Sequence, residues 1–102
     1  MTEAQNLNDY QKLIKKLIVE RGFDKETVPE VFMLLVEEVG ELGKAIRKLS
    51  GVTTDKNSKV HEVQEEAADV FWLLIDICNR LDIDLAKAFA AKEAKNMKRK
   101  WT

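Results

Sequence analysis

Two short acidic stretches stand out, Glu37-Glu38 with Glu41 and Glu66 with Asp69. Glu38/Glu41 and Glu66/Asp69 are both spaced i,i+3, so on helices each pair reaches toward one point. On a helical wheel at about 100° per residue, Val31, Leu34, Leu42, Ala45 and Leu49 fall within roughly 40° of Glu38. Glu38 therefore interrupts an apolar stripe, Glu41 lies near its edge and Glu37 lies further round. A buried carboxylate without a partner is costly. Four carboxylates facing one another repel, and a hard divalent cation relieves that repulsion. All-oxygen ligation favours Mg²⁺, Mn²⁺ or Ca²⁺. Mg²⁺ is usually shared with substrate phosphates, which points to a phosphate-bearing substrate. Spacing alone leaves open whether these groups hold a metal or are solvated and paired with Lys or Arg. Glu62 and Glu65 read as solvated or paired.

A second anomaly lies near the other end. Leu85, Ala88 and Phe89 mark an inward helix face, and the same i+3/i+4 rows lead on to Lys92, Asn96 and Arg99. Lys92 and Arg99 suit phosphates and Asn96 suits a base or sugar. Lys95, Lys98 and Lys100 need only complement a helix dipole. The lone His61 reads as a surface residue, and one histidine cannot furnish a di-iron carboxylate bundle. Cys78 reads as packing, and Phe71 and Trp72 as buried area in a core or between subunits, with base stacking by Trp72 the lesser alternative. The chain has no Gly-rich phosphate loop, no Ser-His-Asp set and no zinc-ligand spacing.

Helices must position these residues. With 102 residues, 45 % apolar and 34 % charged, the chain suits one ordered, helix-rich domain over 1–102. Gly (4) and Pro (1) are too few for many hairpins. Periodicity predicts helices from about Asn8 to Arg21, Val28 to Leu49 and Lys59 to Leu81. A fourth, capped by Asp82 or Asp84, runs to about Lys100. Gly22 stops the first, Thr27 and Glu30 have capping-box spacing, and a polar loop runs from Val52 to about Ser58. Val63, Ala67, Val70, Phe71, Leu74, Ile75, Ile77, Cys78 and Leu81 cover most of the third helix, which predicts burial on most sides. The expected architecture is an all-α, four-helix bundle-like protomer. A net charge of −1 argues against nucleic acid or an acidic membrane as partner. One cysteine and no apolar leader or spanning stretch predict a cytoplasmic setting.

The segment 35–42, Leu-Val-Glu-Glu-Val-Gly-Glu-Leu, resembles the E-E-x-x-E motif of the MazG-like all-α nucleoside triphosphate pyrophosphohydrolases. Glu65-Glu66-Ala67-Ala68-Asp69 resembles their E-x-x-D motif, in matching order and separation. Glu20-Arg21-Gly22-Phe23 is similar to the segment before their second helix, and Lys92 to Asn96 with Arg99 to their K-x-x-x-N tail. The likeness covers nearly the whole chain. It implies Mg²⁺-dependent (Mn²⁺ as substitute) conversion of a nucleoside or deoxynucleoside triphosphate to monophosphate and pyrophosphate. It maps the metal ligands to Glu38, Glu41, Glu66 and Asp69. Glu37 or Glu38 then handles the attacking water, with Lys92, Asn96 and Arg99 on the substrate. It also implies a homodimer or homotetramer. The chain departs from pyrimidine-selective relatives by Lys48, where they carry an aromatic, and by ending Arg99-Lys100-Trp101-Thr102 rather than Arg-Tyr-Pro. Phosphoribosyl-ATP pyrophosphatase, which shares E-A-A-D, and a non-catalytic helical interaction module are the alternatives.

Overall fold

The computed structural model describes residues 3–51 and 56–99, with side chains described from Val60 onward in the second stretch. Four helices follow in order: α1 (Leu7–Glu20), α2 (Val28–Ser50), α3 (Lys56–Arg80) and α4 (Leu85–Met97). Among the described residues there is no strand, and no helix is long and apolar enough to cross a membrane.

Local chemistry accounts for most boundaries. Asn6 caps α1 by accepting from the Asp9 N–H at 2.8 Å. Gly22, at φ 76°, ends it in a Schellman motif, with Phe23 N–H on Ile18 O (2.9 Å) and Gly22 N–H on Val19 O (3.1 Å). Thr27 and Glu30 form the expected capping box at the start of α2, where Pro29 lacks only an N–H that would be unbonded anyway. The Thr27 backbone N–H donates to Glu30 and holds its carboxyl below the ordinary value. Asp84, one of the two expected residues, caps α4.

Two boundaries differ from expectation. Helix α3 begins at Lys56, so the polar loop is shorter than Val52 to Ser58, and residues 52–55 lie outside the described part. Helix α4 ends at Met97, and Lys100 lies outside the described part.

Helices α2 and α3 form an antiparallel hairpin with the most extensive interface in the molecule. Of the apolar stripe around Glu38, Val31 and Ala45 are buried and Leu42 and Leu49 half-buried, whereas Leu34 is exposed. Helix α1 lies across α3, where Ile14, Ile18 and Ile75 form a core joined by Leu7, Phe71, Trp72 and Leu85. Tyr10 meets Phe71 edge to face at 5.4 Å. Gln11 ties α1 to the α3–α4 turn, donating to Asn79 and to Ile83 O and accepting from Leu85 N–H.

Helix α4 makes its main contact with α1. The protomer is therefore more open than a closed four-helix bundle. Its radius of gyration is 16.4 Å, against about 13 Å for a compact domain of 100 residues. This openness corrects two expectations. Helix α3 is not buried on most sides within one chain, since Ala67, Leu74 and Leu81 are exposed. On α4, Leu85 turns inward but Ala88 and Phe89 are exposed, Phe89 by 66 %. Past its first turn α4 has little of its own chain to pack against.

Candidate functional site

The hairpin register sets Glu38 of α2 opposite Glu66 and Asp69 of α3. One carboxylate oxygen from each lies within 4.8 Å of the other two. Glu38 is placed there by Val31 and Ala45, which commit its helix face to α3. Glu38 and Glu66 are half-buried and Asp69 is exposed.

Electrostatics disfavour full ionisation of this arrangement. The carboxyl of Glu38 is held above its ordinary range, first by a hydrogen bond shared with Glu66 and then by partial burial. The charges of Asp69, Glu66 and Glu41 push in the same direction. The Oε2 atom of Glu66 is buried with no hydrogen-bond partner. A hydrogen-bond donor or a cation would satisfy both conditions. Three converging carboxylates offer the all-oxygen donor set that fits a hard divalent cation.

Glu41 lies outside the three-residue group, although its charge reaches Glu38. It lines a charged cavity of about 200 Å³ with Lys44, Lys48, Glu62, Glu65 and Glu66. In that cavity Lys48 lies 3.9 Å from Glu62, and His61 bonds Glu65 at 2.8 Å from an exposed position. These are the paired, surface roles expected of Glu62, Glu65 and His61. Glu37 is exposed and outside the group.

On the opposite side of the carboxylates an open cavity of about 340 Å³ is lined by Arg21, Phe23, Leu34, Glu38, Asp69, Trp72 and Leu73. Its walls are aromatic and aliphatic, with Arg21 as the one cation. Two carboxylates thus share a cavity with two aromatic rings, an arrangement able to take a flat apolar group at one end and, across a bound cation, an anionic one at the other. Trp72 serves here as well as in the core. Arg21 and Phe23 carry part of the family resemblance, but neither spacing nor the resemblance gave them a role in the site. They sit in the connection between α1 and α2, where periodicity carries no information. The available signal was an aromatic directly after a helix-stopping glycine.

Lys92, Asn96 and Arg99 line neither of the two cavities that adjoin the carboxylates. Lys92 and Arg99 are exposed. Asn96 is half-buried, its amide nitrogen 3.5 Å from Glu93 and its Oδ1 atom buried without a hydrogen-bond partner. Cys78 is buried and its thiol is pushed up by that burial, as a packing residue requires.

A family model described as the MazG nucleotide pyrophosphohydrolase domain matches residues 26–101. The matched stretch takes in α2, α3 and α4 and leaves α1 and the Arg21–Phe23 wall outside. No curated protein matches the chain.

Proposed function

The chain belongs to the MazG nucleotide pyrophosphohydrolase family, and from that premise we propose that it hydrolyses a nucleoside or deoxynucleoside triphosphate to monophosphate and pyrophosphate. The observation that carries this reading is the convergence of Glu38, Glu66 and Asp69 within 4.8 Å around a buried, unbonded Glu66 oxygen.

In this reading Glu38, Glu66 and Asp69 hold Mg²⁺, or Mn²⁺ as a substitute, and Glu41 completes the set from the next turn of α2. Bound there, the cation supplies charge to offset that of the phosphate oxygens and of the group being transferred. Glu37 or Glu38 accepts a proton from the attacking water. The cavity walled by Phe23, Leu34, Trp72 and Leu73 takes the nucleoside end, because its aromatic faces adjoin the carboxylates. Lys92 and Arg99 hold the outgoing pyrophosphate and Asn96 a base or sugar, reaching the carboxylates of a neighbouring subunit.

That last role requires assembly into a homodimer or homotetramer. The chain exposes 8028 Å² of surface, against about 5,900 Å² for a compact monomer of its mass. On α2, Phe32, Val36, Val39 and Ile46 are all exposed, with Gly43 open beside them. Their alternating 4,3 spacing is that of a helix-pairing seam, and it lies about 120° round the helix from Glu38. Pairing along it leaves the carboxylates uncovered.

The test is direct. Each NTP and dNTP is incubated with the protein and Mg²⁺, and pyrophosphate is measured for wild type, Glu38→Ala and Asp69→Ala. Wild-type release on at least one nucleotide, lost in both variants, is the expected result. Equal release by all three proteins on every nucleotide would remove the site from consideration.

A further inference from the structure

Asp76 is the only charged residue buried among the described ones, at 2 % exposure. Its Oδ1 accepts from Arg80 Nε at 2.8 Å, one helical turn along α3, while Oδ2 has no hydrogen-bond partner. A buried ion pair is a poor device for stability alone, because desolvation offsets most of its attraction. What Arg80 does with its remaining N–H groups is therefore informative.

Both terminal nitrogens reach the connection between α1 and α2. Nη1 donates to the carbonyl of Glu26, and Nη2 donates to the carbonyl of Phe23 at 2.8 Å. The Glu26 carboxylate adds a 4.0 Å ion pair. Phe23 is also held from its other side, since its N–H bonds Ile18 O at 2.9 Å through the cap of α1. Its carbonyl accepts a second bond, from Glu26 N–H at 3.2 Å. The backbone of Phe23 is thus fixed at both ends, and its side chain walls the cavity that contains Glu38 and Asp69.

We propose that Asp76 and Arg80 are a positioning pair, which sets Phe23 as the wall of the nucleoside cavity and acts on substrate only through it. Arg80 lies eleven residues along α3 from Asp69, about 16 Å of helix, too far to touch a group on the carboxylates. A planar guanidinium can bond one carboxylate and two carbonyls together, whereas a lysine ammonium at the end of a flexible stem cannot hold that fork. The inference rests on the functional reading above for what the cavity binds.

The experiment compares Arg80→Lys, Phe23→Ala and the double variant, with Asp76→Asn serving if Arg80→Lys fails to fold. In Arg80→Lys the expected result is a KM raised about tenfold with kcat within about twofold. Stabilisation by Mg²⁺ alone should be unchanged. The double variant should have the KM of Phe23→Ala, because the two changes remove one interaction. Additive KM effects, or an unchanged KM in the folded variant, overturn the proposal. If wild type turns over no nucleotide, the functional reading fails, and amide hydrogen exchange then decides the positioning claim. Faster exchange at Phe23 and Glu26 in Arg80→Lys supports it, and unchanged protection overturns it.

Discussion

Glu38 of α2 and Glu66 of α3 meet carboxyl to carboxyl across the helix hairpin, and Glu66 is the largest single influence raising the pKa of Glu38. Two acids so placed share a proton more readily than they carry two charges. The fold holds them together because Val31 and Ala45 bury the same face of α2. Burial of the helix face and repulsion of the acids therefore oppose each other at one position.

That opposition predicts a gain in stability from Glu38→Gln. A carboxyl whose folded pKa lies above its unfolded value of about 4.5 favours folding fully below that pH. The contribution is lost as pH rises through the folded pKa. In a chelator, wild type should lose stability across the weakly acid range, and Glu38→Gln should not. Glu38 is only partly buried, so solvent screening limits the difference at pH 7 to at most about 1 kcal/mol, or roughly 4 °C in Tm. Thermal melts of both proteins from pH 4 to 8 measure it.

Added Mg²⁺ should reverse that ranking. At a hundredfold excess over Kd, binding stabilises by about 2.7 kcal/mol. Glu38→Ala and Asp69→Ala should lose the effect, whereas Glu62→Ala, which only breaks the Lys48 pair, should keep it. A wild-type midpoint indifferent to Mg²⁺ would count against the cation site and for a helical interaction module.

Glu37 and Glu38 should separate in kinetics. Glu37 is exposed and stands apart from the converging carboxylates. If it handles water, Glu37→Gln lowers kcat by about a hundredfold and leaves Mg²⁺ stabilisation intact. Glu38→Gln should lose both. Full kcat in Glu37→Gln would transfer the role to Glu38.

The outer seam of α2 should govern assembly. Val36→Arg and Val39→Arg place charge in an exposed apolar row, and each should shift the protein to monomer in light scattering. Mg²⁺ binding should persist, because the seam faces away from Glu38. An unchanged oligomer would place the interface elsewhere.

Much of this was legible in the chain itself. The positions of the helices followed from periodicity and from caps such as Thr27 with Glu30, because both are local. Glu38 was legible for the opposite reason, as a charge where the pattern demands an apolar residue. Its convergence with Glu66 and Asp69 needed only the antiparallel hairpin. Three features were not legible. Asp76 is a charged residue, a type that is usually exposed, and its burial depends on Arg80 folding over it. Phe23 lies in a stretch with no period at all. The exposure of Phe89 and the placement of Lys92 depend on what covers α4, which no pattern within one chain encodes.

The three converging carboxylates belong to consecutive helices, and Glu38 and Glu66 are only 28 residues apart in the chain. Closing so short a loop costs little entropy, and contacts of this range form early in helical proteins. As the chain is synthesised, the α2–α3 hairpin can close before α4 has emerged. Closure of that hairpin is also what brings the acids together. In the function proposed above, a cation held by the three acids would favour that closure, so its concentration would bear on the rate of folding as well as on activity.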